Sequence, residues 1–232
     1  MIRWEADGYA IAFTTRLGGV SEGPYESLNL GRKTGDVPER ADENRRRACA
    51  AVGADLDKLA LNHQVHSNRV LRAEPGMRNE PADGLWTDEP GLPVLAMSAD
   101  CLPVVLTRGN GSPAVAVLHV GWKGLLAGIV AAGAEALGSG PLAAAIGPGI
   151  GPCCYEVGEE VAAPYRDRFG AAVLHGRNLD LWTSAELALR AAGVENVHRV
   201  DRCTACEPET FFSHRRDRGI TGRQGVIAYV AG

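Results

Sequence analysis

Three residues of this chain stand where strand-like runs stop, and all three carry side chains that bind borderline metals. His66 closes "NHQVH", Cys101 follows Asp100 after "VLAMSA", and His119 closes "VAVLH". Two imidazoles and one thiolate are a natural donor set for Zn²⁺, and three donors leave a fourth position open for substrate or water. Each residue alone has a plainer account. A histidine near a strand end is usually a hydrogen-bonded core residue, and a buried cysteine often acts as a small hydrophobe. It is the coincidence of three that marks a site. His63 rivals His66, but alternation in a strand sends the two to opposite faces, so at most one joins the set.

Other groups compete for chemical roles. Cys203-Thr-Ala-Cys206 has the C-x-x-C spacing of a redox pair or half a zinc site. No second C-x-x-C completes it, and the neighbouring pair Cys153-Cys154 is a poor substitute because adjacent side chains tend to diverge. "IGPGIGP" has the glycines of a phosphate loop, but Pro148 and Pro152 lack N–H donors and no G-x-x-x-x-G-K-[ST] is present. A shaped bend beside a site is expected instead. Arg45, next to Asn44, offers the planar fork that suits phosphate or carboxylate, although a lone arginine on a helix is ordinarily a surface residue. Asp83 in "PADGLW" and Asp100 beside Cys101 are either general acid–base groups or turn residues.

The elements that must position these groups read as follows. Tyr9 to Thr14 forms a short strand, followed by a turn-rich loop. "DVPERADENRRRACAAVG" reads as a helix capped by Asp36, with Pro38 in its first turn and Gly53 as its stop. "LALNHQVHSNRVLRAE" has strand alternation, with Leu61, His63 and Val65 on one face. "LPVLAMSAD" and "PAVAVLHVG" are continuous apolar runs, as buried strands are. "WKGLLAGIVAAGAEALG" reads as one buried helix loosened by glycines, and "DLWTSAELALRAAGV" as an amphipathic helix. "VHRVD" and "GRQGVIAYV" supply the last strands. The irregular alternation gives an α/β or α+β fold with a mixed sheet, and the whole chain, 1–232, reads as one domain.

The totals bound the function. A chain of 232 residues with 45% hydrophobic and 22% charged residues is ordinary for a globular enzyme. A net charge of -4, with Arg45-Arg46-Arg47 the only dense basic run, argues against a nucleic-acid partner. No stretch is long and apolar enough to span a bilayer, and the N-terminus has no signal pattern, so a cytoplasmic protein with its six cysteines reduced is expected.

Longer motifs add a resemblance. "TTRLGGVSEGPYESLNLG", "GD…ENR", "QVHS", "ADGLWT", "SADCLPVVL", "HVGWKG", "IGPGIGPCCYEVG", "CTAC…FFSHRRD" and "TGRQ" occur in order from Thr14 to Gln224. The chain thereby resembles the bacterial laccase-domain family, also called polyphenol oxidases and peptidoglycan-editing factors, over nearly its whole length. The resemblance implies a compact α/β sandwich with mixed sheets, often monomeric. It also implies a zinc-dependent enzyme that phosphorolyses adenosine, inosine and methylthioadenosine and deaminates adenosine. The family's metal ligands fall on His66, Cys101 and His119, and the anion-binding arginine of its N-R motif on Arg45, beside Asn44. The sequence departs at Lys123, where the family usually has arginine, and at His214, where tyrosine is commoner.

Three chemistries follow as expectations. In the first, phosphate held by Arg45 attacks the ribose of a purine nucleoside, and water made acidic by zinc serves for deamination, with Asp83, Asp100 or Glu156 shuttling protons. The second is a copper oxidase, for which His66, Cys101 and His119 with Met97 give a blue-copper-like set. Six histidines are too few for a multicopper laccase. The third is an amidase of cell-wall precursors, with Cys101 as nucleophile and His119 as base.

Overall fold

Seven consecutive residues, Ala114–Val120, are all buried, and their side chains serve two different cores. Val115 and Val117 join one apolar cluster, and Ala114, Ala116, Leu118 and Val120 join another. A strand buried on both faces has no polar face to show, which is why its sequence runs apolar without interruption.

The computed structural model describes residues 1–109 and 111–232. In chain order its elements are β1 (Ile2–Arg3), β2 (Tyr9–Phe13), α1 (Pro38–Val52), β3 (Ala60–Leu61), β4 (Val70–Arg72), β5 (Gly84–Thr87), β6 (Val94–Ser98), β7 (Leu102–Arg108), β8 (Ala114–Val120) and α2 (Trp122–Ala127). Then come α3 (Ile129–Leu137), β9 (Leu142–Ile146), α4 (Glu159–Phe169), β10 (Leu174–His175), β11 (Asn178–Leu179), α5 (Leu181–Ala191), β12 (Asn196–Arg199) and β13 (Gln224–Val230). One sheet has the order β1-β2-β13-β6-β3 and the other β12-β9-β7-β8-β5-β4, with β10 and β11 as a separate pair. Both sheets are mixed: β7 and β8 pair antiparallel, whereas β12 with β9, β4 with β5 and β3 with β6 pair parallel.

Alternation along each strand builds the layers. Ile11, Phe13, Val94, Ala96, Val226 and Ala228 of the first sheet meet Leu85, Val105, Val115 and Val117 of the second between the sheets. On the outer face of the first sheet, Ala12, Leu95 and Ile227 pack on Ala48, Cys49 and Val52 of α1. On the outer face of the second, Val104, Leu106 and Leu118 meet Ile129 and Leu137 of α3 and Leu189 of α5. The result is an α/β/β/α sandwich, the mixed α/β class expected.

Three local expectations change. The single helix after His119 is two, α2 and α3, broken at Gly128 with φ 92°. That left-handed conformation ends a helix without strain only at glycine. Asp36 does not cap α1: Val37 holds the cap position, and Asp36 instead accepts hydrogen bonds from Ser21, Asn29 and the Val37 N–H. The run around His63 and His66 is strand only at Ala60–Leu61 and Val70–Arg72. Between them His63 makes only an isolated bridge with Pro81, and the backbone of Val65, His66 and Ser67 donates to a carboxylate rather than to a neighbouring strand.

Candidate metal centre

That carboxylate is Asp83, which immediately precedes β5 and is wholly buried. Its Oδ2 accepts the N–H of Val65 at 3.1 Å and of Ser67 at 2.6 Å, together with the Ser67 hydroxyl at 2.8 Å. Its Oδ1 accepts the N–H of His66 at 2.9 Å. These bonds hold His66 at φ 61°, a left-handed conformation costly for a residue with a side chain. The loop that presents His66 is therefore shaped from 17 residues away.

Asp83 also fixes the second imidazole. His119 Nδ1 lies 2.9 Å from Asp83 Oδ1, and the His119 N–H donates to the Asp83 carbonyl at 2.7 Å. His119 sits inside β8, one residue from its end, on the same face as Val115 and Val117. With Nδ1 held by a carboxylate, Nε2 is the nitrogen left for a ligand. Cys101 stands in the bend between β6 and β7, next to Asp100, whose φ is 90°. Cys101 Sγ lies 3.9 Å from His66 Nε2, and the rings of His66 and His119 meet edge to face at 4.9 Å.

The donor atoms of His66, Cys101 and His119 all lie within 4.8 Å of one another. His63 is exposed and outside this group, its N–H bonded to the Glu80 carbonyl. Space for an ion is kept by Gly121, where a Cβ would stand 2.9 Å from Cys101 Sγ and 3.0 Å from the His66 ring. Two nitrogens, one sulfur, a carboxylate behind one imidazole and room at the convergence point fit a zinc-type ion.

The charges agree with that chemistry. Burial alone would raise the Cys101 thiol, but the His119 and His66 imidazoles outweigh it and bring it down to about 6. Burial disfavours the His119 imidazolium, yet the Cys101 thiolate and the Asp83 carboxylate lift it to about 9. Asp83 is held below the usual carboxylate range against its own burial, by His119 and Ser67. It stays ionised and faces no open space, so its work is orientation.

The other carboxylates are engaged too. Asp100 accepts from Thr204 Oγ1 at 2.6 Å and from the Arg215 N–H at 2.6 Å. Glu156 is exposed and pairs with Arg177 at 2.8 Å. Asn44 is buried and spends its amide on the preceding loop: it accepts from Val20 N–H and donates to Ser21, Ser27 and Asn29. Arg45 is buried, its Nε donating to the Leu30 carbonyl at 2.8 Å. Desolvation lowers it to about 10, leaving it charged, and no carboxylate among the described residues pairs with it. Met97 Sδ lies 4.0 Å from Arg45 Nη2, and Met97 packs with the cluster under α1. It thus belongs to the face of β6 opposite the inter-sheet core, whereas His119 lies on the inter-sheet face of β8. Lys123 is exposed, its ammonium over the Trp122 ring at 5.3 Å.

Arg223 is a functional candidate that no local pattern marked. Its N–H donates to Asn29, its carbonyl accepts from Leu30 N–H, and its guanidinium is partly desolvated near Cys101 and Asp100. Arg45 and Arg223 therefore both brace Leu30. The only sequence signal for Arg223 was its place in "TGRQ". The "IGPGIGP" bend is indeed a shaped one beside the site: Ile150 N–H donates to the Asp100 carbonyl at 2.8 Å, and a Cβ on Gly149 would stand 2.9 Å from that oxygen.

Comparison with known proteins agrees with this architecture. The family model described as multi-copper polyphenol oxidoreductase laccase matches residues 10–231. Purine nucleoside phosphorylase YfiH of Escherichia coli is 40% identical over 233 residues, covering 96% of this chain and 94% of the relative. A purine nucleoside phosphorylase of Deinococcus radiodurans is also 40% identical, covering 93% and 87%. The crystal structure of YlmD from Geobacillus stearothermophilus superposes with a TM-score of 0.90 at 33% identity, covering 97% of this chain and 93% of that one. With a family model spanning almost every residue and relatives this similar along their whole length, the chain belongs to the laccase-type polyphenol oxidoreductase family.

Proposed function

We propose that this protein is a zinc-dependent purine nucleoside phosphorylase acting on adenosine, inosine and methylthioadenosine, with adenosine deaminase activity at the same site. The observation that carries the reading is the convergence of His66, Cys101 and His119 within 4.8 Å, backed by buried Asp83. Relatives 34–40% identical that are named purine nucleoside phosphorylases support it. Zinc, when bound by these three residues, supplies a Lewis acid and lowers the pKa of water to ~7.

The chain's own residues do the rest. Asp83 fixes the tautomer and the aim of His119 and shapes the loop of His66. Arg45, a buried guanidinium that pairs with no carboxylate among the described residues, and the half-buried Arg223 bind the phosphate dianion. In phosphorolysis a phosphate oxygen forms a bond to C1′ of the ribose. The C1′–N9 bond breaks, and the purine leaves with its electron pair and takes up a proton. The protein acts as a monomer in the cytoplasm on small-molecule substrates.

The deciding assay incubates zinc-loaded protein with each nucleoside, with and without phosphate. Phosphate-dependent release of free base supports the reading, and conversion of adenosine to inosine supports the second activity. No turnover of any nucleoside would sink both. Copper is separated from zinc by metal analysis together with the visible spectrum: a colourless protein carrying zinc excludes the copper oxidase.

A further inference from the structure

Five of the six cysteines lie outside the centre described above, and four of them gather elsewhere. The sulfurs of Cys153, Cys154, Cys203 and Cys206 lie within 4.8 Å of one another. Cys206 Sγ is 3.4 Å from Cys153 Sγ and 3.3 Å from Cys154 Sγ. A tetrahedral ion with metal–sulfur bonds of about 2.3 Å sets its sulfurs about 3.8 Å apart, within the spread seen here. The group is too tight to enclose a multi-iron cluster and has room for one ion.

Local backbone structure makes this possible. Adjacent cysteines diverge in an extended chain, but Cys153 and Cys154 lie in a tight turn where Cys154 N–H and Tyr155 N–H both donate to the Gly151 carbonyl at 3.0 Å. Cys203 and Cys206 close a second turn, with Cys206 N–H donating to the Cys203 carbonyl at 3.2 Å. Gly149 zips the two segments together, donating to the Arg202 carbonyl and accepting from Thr204 N–H. Buried Cys203 Sγ accepts the Gly151 N–H at 3.3 Å, and the N–H groups of Ala205 and Cys206 also point to it. Amide donors around a sulfur are what a metal-bound thiolate requires. A disulfide would use only two of the four sulfurs, whereas Cys206 is almost equidistant from two partners.

We propose that Cys153, Cys154, Cys203 and Cys206 form a second, tetrathiolate centre that binds one zinc ion and staples the bend after β9 to the loop after β12. Four protein ligands leave no open position, so the centre is structural. Its effect reaches the first centre through Thr204, which lies between two of the ligands and bonds Asp100, the neighbour of Cys101. The Ile150 N–H, on the stapled bend, holds the Asp100 carbonyl.

The test counts metal in the full chain purified with reductant and zinc. The double variant Cys203→Ser/Cys206→Ser should carry one equivalent less than the parent, while Cys101→Ala keeps that equivalent. Cobalt-loaded protein should show thiolate charge-transfer and tetrahedral d–d bands that persist in Cys101→Ala and vanish in the double variant. Equal metal content in parent and double variant overturns the proposal, as does a cobalt spectrum lost in Cys101→Ala alone. If the double variant does not fold, alkylation of the parent followed by peptide mass analysis decides. Zinc should protect all four cysteines at least tenfold, and a chelator should remove that protection. Equal rates with and without chelator, or a disulfide in the freshly purified reduced protein, overturn it. None of these readouts depends on nucleoside turnover, so the staple and the proposed activity fail separately.

Discussion

The carboxylate of Asp83 joins both histidines of the candidate centre: it bonds His119 Nδ1 at 2.9 Å and, through the same oxygen, accepts the backbone N–H of His66 at 2.9 Å. One buried charge thereby sets a ring orientation and a loop conformation together. Asp83→Asn preserves shape but replaces an acceptor oxygen with an N–H₂ donor. Metal affinity should fall about 10- to 100-fold, as for other carboxylates behind a ligating histidine. Competition with a chromophoric chelator measures this, and an unchanged affinity would reject the orienting role.

Acid should expose the same residue. The folded Asp83 carboxyl lies below its ordinary range, so it contributes stability that is present above about pH 4 and lost as the pH falls further. Urea midpoints measured downward from pH 5 should decline in the parent. The decline should be shallower in Asp83→Asn, which has no carboxyl to protonate. Parallel curves would mean that the charge is not what stabilises the loop.

In metal-free protein Cys101 should react as a low-pKa thiol. Its folded value is about 6, pulled down chiefly by His119, so thiolate is present above that pH and lost below it. Alkylation of the Cys101 peptide should show a midpoint near pH 6, against ~8.5 for an ordinary cysteine. His119→Gln should move the midpoint upward. A midpoint that stays put in the variant would show that the imidazolium is not the cause.

Gly121→Ala tests the space around the donors. The new Cβ would meet Cys101 Sγ at 2.9 Å and the His66 ring at 3.0 Å, so one donor must move. Gly121 itself has φ −89°, so the substitution brings crowding without backbone strain. Overpacking of this kind costs about 1–3 kcal/mol. Metal affinity should drop tenfold or more while circular dichroism stays native.

The arginines should separate phosphate from metal. Arg45→Lys and Arg223→Lys keep the charge but lose the planar fork. Each should raise the KM for phosphate about tenfold, in line with ~1.5 kcal/mol for one charged hydrogen bond, at unchanged zinc content. A change in zinc content with KM unaltered would place them in the fold rather than at the anion.

Much of this centre was legible residue by residue. β8 could be read from "AVAVLHV" because burial on both faces leaves an unbroken apolar run, and that run delivers His119. Cys101 could be read because a bend between two such runs exposes one soft ligand. The structure around His66 could not. Its alternating residues imitate a strand, and only a carboxylate distant in sequence turns the segment into a loop. Cys153 and Cys154 failed for the same kind of reason, since divergence of neighbours holds for extended chain and not for the turn made by Gly151. Asn44 and Arg45 could be read as a pair, but only packing distinguishes the amide that ties a loop from the guanidinium that stays unpaired.

The ligand loop and β8 meet through residues far apart in the chain: 35 positions separate His66 from Cys101, and 36 separate Asp83 from His119. Such contacts depend on the register of β5, β8 and β7, so the folded chain is what brings the donors together. An unfolded chain offers an ion no ready-made pocket, so an ion held at this centre would favour the native state, less whatever loose cysteines and histidines bind. At an ion concentration 100 times its dissociation constant, that preference would add up to ~2.7 kcal/mol to stability. Metal supply would set how long each molecule survives as well as what it can do.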